Sequence, residues 1–413
     1  MAGIELSEQA RQQVERVGSA DVVVGIAGAI APEEMRARAE RIVRELGEGM
    51  SALRFVFTWP GSPAEAKAEM EHQRLGLAPF PPPQMTGEFW LGVSAHQRAI
   101  LAMAESLHAR VCIVLGSDLA ALQPQVIQLF TYAVLDRQCG LAMPVYPTRK
   151  YDALINSSIL SPLSRALFGK RIRNPLAFDF AVSGGLCGSL GWIEPVDNHG
   201  GTPLLWPVRA AAIQTPPVSI GQVQIDVHHQ VATGGLELSA VLGQIAGSLF
   251  HEMEQYAAHW QRIRGSQATP LWGNPAPEAP DGQPIDGQPM LDSFLIGSKN
   301  LDEVWRLVLP PNTMLELRRL TRLSADAFRM PDELWAGMVY DFALAYRLRT
   351  LSRVHLLGAL TPLYLGWAAS YVREVAPLSR GAAEQRLEQV ARAFEEKKPY
   401  LLSRWRWPDR FHP

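Results

Sequence analysis

Short apolar runs alternate with amphipathic segments along the chain up to residue 145. Runs rich in valine and isoleucine are typical of buried parallel strands, and apolar residues that recur every three to four positions are typical of helices. The predicted strands cover residues 21–27, 53–59, 110–115 and 140–145, and the predicted helices begin at Pro32 and cover residues 94–108 and 125–137. Because strands alternate with helices, the pattern predicts an α/β fold with a mainly parallel sheet and helices on both faces.

Helical periodicity dominates the rest of the chain. Helices are predicted over residues 236–262, 302–308, 332–348, 354–372 and 381–396, with a Pro/Gly-rich loop over 265–289 and an irregular tail over 405–408. Thr361 and Pro362 interrupt the apolar run 356–372, which favours a kinked, buried helix over a transmembrane segment. The predicted organisation is an N-terminal helix (1–20), a sheet domain (21–235), a connecting helix (236–264), the loop (265–290) and a helical C-terminal region (291–413).

Composition narrows the class of protein. The 413 residues are 47% hydrophobic and carry a net charge of −2, which suits a large buried core and gives no cationic footprint for nucleic acid. Three cysteines in apolar surroundings favour a reducing compartment and argue against a disulfide framework. The N-terminal segment is polar and amphipathic, without the apolar core of a signal peptide. We therefore expect a cytoplasmic protein without a transmembrane segment.

An apolar strand that runs directly into an acidic residue marks a candidate metal site. Residues 111–115 are all apolar and lead to Gly116, Ser117 and Asp118. Ligands of α/β proteins bind at the carboxyl ends of the strands, where carboxylate oxygens suit Mg²⁺ or Mn²⁺. The alternative is that Asp118 caps the helix that follows the strand.

A cationic turn follows the next predicted helix stop. The helix is expected to end at Gly169, after which Lys170, Arg171 and Arg173 come close together before Pro175. Such a group of cations suits a phosphate or carboxylate, which arginine binds with two parallel hydrogen bonds. The alternative is a solvated basic loop at the C-terminus of a helix, where the helix dipole favours cations.

Two long stretches resemble a known family. Residues 151–183, YDALINSSILSPLSRALFGKRIRNPLAFDFAVS, resemble the region after the metal motif in GT-A fold glycosyltransferases of the glucosyl-phosphoglycerate and mannosylglycerate synthase group. Residues 330–349, MPDELWAGMVYDFALAYRLR, resemble the helical C-terminal region of the same enzymes. The resemblance spans most of residues 21–375. It implies a GT-A, Rossmann-like sheet domain, a nucleotide-sugar donor, a hydroxyl acceptor, and Mg²⁺ or Mn²⁺ as cofactor.

The resemblance also implies roles for individual residues. Asp118 matches the last acid of the family's Asp-x-Asp metal motif, and His228 or His229 would complete the metal site. Asp179 matches an acid that orients sugar or acceptor hydroxyls, so Asp118 and Asp179 are the expected catalytic residues. The expected substrate-binding residues are Tyr151, Asp152, Asn156, Lys170, Arg171 and Arg173. The alternatives are a structural or surface role for the histidine pair and a hydrogen-bonding role at the edge of the core for Asp179.

The chain also departs from the family pattern. Gly116 replaces the first acid of the metal motif, Val93 replaces a lysine, and Ala27, Gly28 and Ala29 replace polar residues that touch the nucleotide. Two hypotheses follow: an active glycosyltransferase with an altered donor site, or a catalytically silent glycosyltransferase-like subunit that binds a partner. A nucleotidyltransferase would need a Gly-rich phosphate loop, which the sequence lacks. The sequence leaves open whether the protein forms a homo-oligomer.

Overall fold

The structure is a computed structural model that describes residues 6–62, 73–82, 95–116, 119–176, 178–190, 204–227, 237–274 and 285–408. Three of the predicted site residues, Asp118, His228 and His229, lie outside these ranges, as does Val93.

An eight-stranded sheet forms the centre of the N-terminal half, in the order β10-β8-β5-β7-β4-β1-β2-β3. Its strands are β1 Val22–Ile26, β2 Phe55–Thr58, β3 Leu75–Leu77, β4 Val111–Leu115, β5 Leu141–Val145, β7 Phe180–Ser183, β8 Ile220–Gln224 and β10 Leu271–Trp272. Neighbouring strands are parallel except β7, which is antiparallel to both β4 and β5. The prediction of a mainly parallel sheet is confirmed.

The helices form two groups along the chain, one before β8 and one after it. The first group is α1 Glu8–Val17, α2 Pro32–Glu45, α3 Ala95–Ser106, α4 Pro124–Leu135, α5 Ser161–Phe168, α6 Gly184–Leu190 and α7 Trp206–Ile213. The second is α8 Leu238–Gln255, α9 Ala257–Trp260, α10 Gln288–Asn300, α11 Asp302–Val308, α12 Pro311–Leu320, α13 Asp332–Leu348, α14 Arg353–Val375 and α15 Arg380–Arg406. None of the helices in the described ranges is both long and apolar enough to cross a membrane.

Side chains that alternate along each strand build a separate core on each face of the sheet. Val22, Val24 and Ile113 belong to a core with α2 and α4, whereas Val23 and Cys112 belong to a core on the other face. The second core includes α3, α6 and α7 and continues into α8 and α10 to α15. The helical C-terminal region therefore packs on one face of the sheet domain and shares its core.

The Pro/Gly-rich stretch and the tail differ from the sequence predictions. The Pro/Gly-rich stretch contains two short strands: β9 (Gln267–Ala268) pairs with β6 (Lys170–Arg171), and β10 extends the main sheet beside β8. Such two-residue strands are too short to show periodicity and form where a partner strand offers a free edge. The tail, predicted as irregular, is helical as far as Arg406, because Leu401, Leu402 and Trp405 are buried in the core.

Candidate functional site

The carboxyl ends of β1 and β4 lie side by side in the middle of the sheet. Ile26 pairs with Leu115, and the backbone N–H of Ala27 donates to the carbonyl of Leu115 at 2.9 Å. Chain connections lead outward in opposite directions from this pair, to β2 on one side and toward β7 and β5 on the other. Open α/β sheets bind ligands at such a switch point. Gly116, the last described residue before the predicted metal ligand Asp118, lies at this edge.

Asp179 belongs to the same edge. Because β7 is antiparallel to its neighbours, the residue before its first position lies at their carboxyl ends. The carboxylate accepts from the backbone N–H of Gly116 at 2.8 Å and from the hydroxyl of Tyr146 at 2.5 Å. Its side chain is fully buried. This is the arrangement of a hydrogen-bonding residue at the edge of the core, which ties the ends of β4, β5 and β7 together.

The described residues do not supply a metal site by themselves. Within them, no group of three histidine, cysteine, aspartate or glutamate side chains is placed to hold a metal ion. Asp179, the acid that the described structure places at the switch point, already accepts hydrogen bonds at both carboxylate oxygens. The predicted metal ligands Asp118, His228 and His229 lie outside the described ranges.

The cationic turn begins where predicted. α5 ends at Gly169, whose φ of +68° is the left-handed conformation that glycine adopts most easily. The next residues form the short strand β6 rather than a free loop, since it pairs with β9. The ammonium of Lys170 donates to the side-chain oxygen of Gln267 at 3.0 Å. Lys170 does not line the cleft that the rest of this turn forms.

Side chains from four different segments hold the backbone of this turn. The side-chain amide of Gln222 accepts from the N–H of Arg173 at 2.7 Å and donates to the carbonyl of Arg171 at 3.2 Å. The hydroxyl of Thr269 also donates to the Arg171 carbonyl. Ser161 donates to the carbonyl of Ile172 at 2.8 Å, and Asn156 donates to the carbonyl of Arg173 at 2.9 Å. The turn is therefore preorganised.

The turn lines a cleft of about 580 Å³ together with α5 and the N-terminal part of α15. The charged side chains that line it are Arg165, Arg171, Arg173, Glu384 and Glu388. Asn156, Thr148, Asn174 and Gln222 add polar groups. The side-chain oxygen of Asn174 accepts from the N–H of Tyr146, the residue after β5, at 3.4 Å.

The three arginines of the cleft differ in their partners. Arg165 is buried and binds two carboxylates of α15, Glu388 at 2.8 Å and Glu395 at 2.6 Å. Arg173 pairs with Glu384 at 2.9 Å, and both of these side chains are more than 40% exposed. Arg171 has no ion pair among the described residues and donates to the hydroxyl of Ser266 at 3.0 Å. Arg171 and Arg173 are thus the cations that an anionic ligand reaches most easily.

The structure brings together some of the predicted substrate-binding residues and not others. Asn156, Arg171 and Arg173 line the cleft, whereas Tyr151 and Asp152 do not. Tyr151 packs against the core, and the exposed Asp152 accepts from the N–H of Arg149 at 3.0 Å within its own turn.

The residues of the cleft that sequence reasoning missed include Arg165, Gln222, Glu384 and Glu388. A local signal existed for two of them. Arg165 is a charged residue in an otherwise mostly apolar helix, and Gln222 is a polar residue between Gly221 and Val223 in β8. The two glutamates carry no such signal, since carboxylates four positions apart are common on solvated helices.

Comparison with solved structures finds proteins of the group that the motifs resemble. Glucosyl-3-phosphoglycerate synthase from Mycobacterium tuberculosis, crystallised with Mn²⁺, UDP and phosphoglyceric acid, is 13% identical with a TM-score of 0.36 over 61% of this chain and 83% of that chain. A mannosyltransferase from Pyrobaculum calidifontis, crystallised with GDP-Man and Mn²⁺, is 15% identical with a TM-score of 0.35 over 85% of this chain and 91% of that chain. No protein-family model and no curated protein matches the chain. The chain is similar to these proteins, and the similarity assigns no activity.

Proposed function

We propose that this protein is a nucleotide-sugar-dependent glycosyltransferase that moves a sugar to a hydroxyl of a small or carrier-linked acceptor. The observation that carries the proposal is the preorganised turn that presents Arg171 and Arg173 to a polar cleft. The sequence resemblance of residues 151–183 and 330–349 to GT-A glycosyltransferases supports the same reaction class.

Glycosyl transfer from a nucleotide sugar leaves a diphosphate, whose developing charge must be stabilised. In the proposed site, Arg171 and Arg173 bind a phosphate or carboxylate group of a substrate, because guanidinium groups match these anions with paired hydrogen bonds. Asp118 and one of His228 or His229 are proposed to hold a divalent metal ion. Asp179 contributes by fixing Gly116 at the strand end, since its buried carboxylate is already bound by Gly116 and Tyr146.

Calorimetry with UDP and GDP, each with and without Mn²⁺, tests the proposal. We expect metal-dependent binding of one nucleotide, loss of that binding in Asp118→Ala, and weaker binding in the double variant Arg171→Ala/Arg173→Ala. Two charged hydrogen-bonding groups are each worth about 1.5–3 kcal/mol, so the double variant should bind at least about a hundredfold more weakly. Lys170→Ala is the matched control, because it removes a cation from the same turn but outside the cleft.

Transfer itself is measured as the release of nucleoside diphosphate from a nucleotide sugar in the presence of a hydroxyl acceptor. Asp118→Ala should lower the rate of this release by about 10²–10³-fold. If no nucleotide binds with or without Mn²⁺, the protein is instead the silent glycosyltransferase-like subunit, and Asp118→Ala then changes stability by about 1 kcal/mol at most.

A further inference from the structure

Gln222 is a buried amide that spans the cationic turn. It lies on β8, 7% exposed, and uses the two ends of its side-chain amide on two different backbone groups of the turn. The oxygen accepts from the N–H of Arg173, and the nitrogen donates to the carbonyl of Arg171. The backbone groups on either side of Ile172 are therefore held at a separation set by one planar amide.

The position of Gln222 on the sheet makes this contact rigid. Its own backbone is held on both sides, because β8 pairs with β5 through Met143 and with β10 through Leu271. An amide anchored to a paired strand has little freedom to follow a moving turn. Gln222 binds the backbone of both Arg171 and Arg173, so the directions of the two arginine side chains depend on this contact.

We propose that Gln222 is a positioning residue that sets the spacing of Arg171 and Arg173 for one anionic group. The inference rests on the proposed function, because it assumes that these arginines bind a phosphate or carboxylate of a substrate. Gln222 would lower the cost of binding by ordering the turn in advance, so its loss weakens binding without removing either cation.

Binding of inorganic pyrophosphate, measured by calorimetry on the full chain, tests the proposal. Gln222→Met keeps the length and volume of the side chain and removes both hydrogen bonds. We expect pyrophosphate to bind about threefold to tenfold more weakly, the range that follows from ordering costs at a binding site. Gln224→Met is the matched control: it lies two residues along the same strand, and its amide donates to the carbonyl of Val145 rather than to the turn.

A double-variant cycle separates positioning from general damage to the fold. If Gln222 acts through Arg171, the effect of Gln222→Met should largely disappear in an Arg171→Ala background, whereas an unrelated structural effect would add to it. Gln222→Asn provides a second variant that keeps a polar amide but is one methylene shorter, so it cannot reach both backbone groups. It should weaken binding as much as Gln222→Met does.

The outcomes distinguish the inference from the proposed function. If Arg171→Ala and Arg173→Ala weaken binding while both Gln222 variants bind like the wild type, the positioning role is wrong and the cationic site stands. Additive effects of Gln222→Met and Arg171→Ala also overturn the positioning role. If neither arginine variant changes pyrophosphate binding, the cleft is not the anion site, and both the inference and the substrate site of the proposed function are wrong.

Discussion

Arg171 and Arg173 are two positions apart on one turn, yet the structure gives them different surroundings. Arg171 bonds the hydroxyl of Ser266, while Arg173 already faces the carboxylate of Glu384 on α15. An anion that enters the cleft must compete with Glu384 for Arg173. Because both partners are well exposed, the competing ion pair is weak, and exposed pairs are worth about 0.2–1 kcal/mol.

Glu384→Gln should therefore strengthen the binding of pyrophosphate by up to about fivefold, because it removes the competing carboxylate. The measurement is a calorimetric titration at low ionic strength, where exposed charges are least screened. Glu396→Gln is the control, since it removes the same charge from an exposed position on the same helix away from the cleft. Equal gains in the two variants would indicate a general effect of net charge.

Outside the cleft, Glu252 is a buried carboxyl with few hydrogen-bond partners. It is 2% exposed on α8, and burial raises the pKa of its carboxyl to about 7, against the opposing effects of Arg209 and the N–H of Leu205. One oxygen accepts from Leu205 at 3.2 Å and lies 3.9 Å from Arg209. Within the described residues, the other oxygen has no hydrogen-bond partner. The neutral carboxyl is therefore the favoured form in the folded protein below about pH 7.

Because its pKa is higher in the folded state than the usual 4.5, Glu252 contributes stability that is complete below pH 4.5 and is lost as the pH rises to about 7. We expect the free energy of unfolding of the wild type, relative to Glu252→Gln, to fall by roughly 2–3 kcal/mol across this window. Urea unfolding at a series of pH values measures the difference. A difference that stays constant between pH 4.5 and 7 would contradict the prediction.

At the scale of elements, the contact between α5 and α15 holds the cleft together. Arg165 of α5 binds Glu388 and Glu395, and Lys398 of α15 donates to the backbone carbonyls of Ala166 and Ile263. Burial lowers the pKa of Lys398 to about 8, with a further contribution from Arg264, because the ammonium lies among backbone groups rather than in water. Two buried cations thus hold α15 against the end of the helix that precedes the cationic turn.

Arg165→Met should destabilise the fold by about 1–3 kcal/mol, because Glu395, 16% exposed, loses its partner while Glu388, 41% exposed, stays solvated. Arg392→Met is the matched control: Arg392 pairs with the same Glu388 at 3.6 Å but is 64% exposed, so its loss should cost less than about 1 kcal/mol. Urea unfolding of both variants gives the comparison. Similar losses would mean that burial does not distinguish the two arginines.

At the scale of the whole molecule, the core on one face of the sheet continues into the C-terminal helices. Residues as far apart as Val23 of β1 and Phe394 of α15 belong to the same apolar cluster. A region that shares a core with the sheet domain is not expected to unfold by itself. The C-terminal region thus differs from the sheet domain in being helical, but the two regions share one core.

We therefore expect a single cooperative unfolding transition in urea. Tryptophan fluorescence and far-ultraviolet circular dichroism should give coincident curves, because both would follow the loss of one shared core. Buried tryptophans on both sides of the junction make the test sensitive, with Trp206 in α7 and Trp335 and Trp367 in the C-terminal helices. Two separated transitions would show that the sheet domain and the C-terminal region are independently stable.

Local patterns determined the elements of this protein, because helix and strand periodicity depends on residues close in sequence. The prediction of a helix over residues 332–348 agrees with the bounds of α13, and the glycine stop at Gly169 and the cationic turn are where the sequence indicated. The antiparallel direction of β7 and the short strands β6, β9 and β10 were decided by tertiary structure, since two-residue strands exist only where a partner offers an edge.

The site divides in the same way. The sequence predicted Arg171 and Arg173 as ligand-binding residues because they lie close together between Gly169 and Pro175. Arg165 and Glu388 are 223 positions apart, and only the packing of α15 against α5 brings them into one cleft. The sequence equally left two roles open for Asp179. Its burial and its contacts with Gly116 and Tyr146 come from the tertiary structure, because they join strands that are distant along the chain. Residue types and local turns therefore follow from the sequence, while charge partners and burial follow from long-range packing.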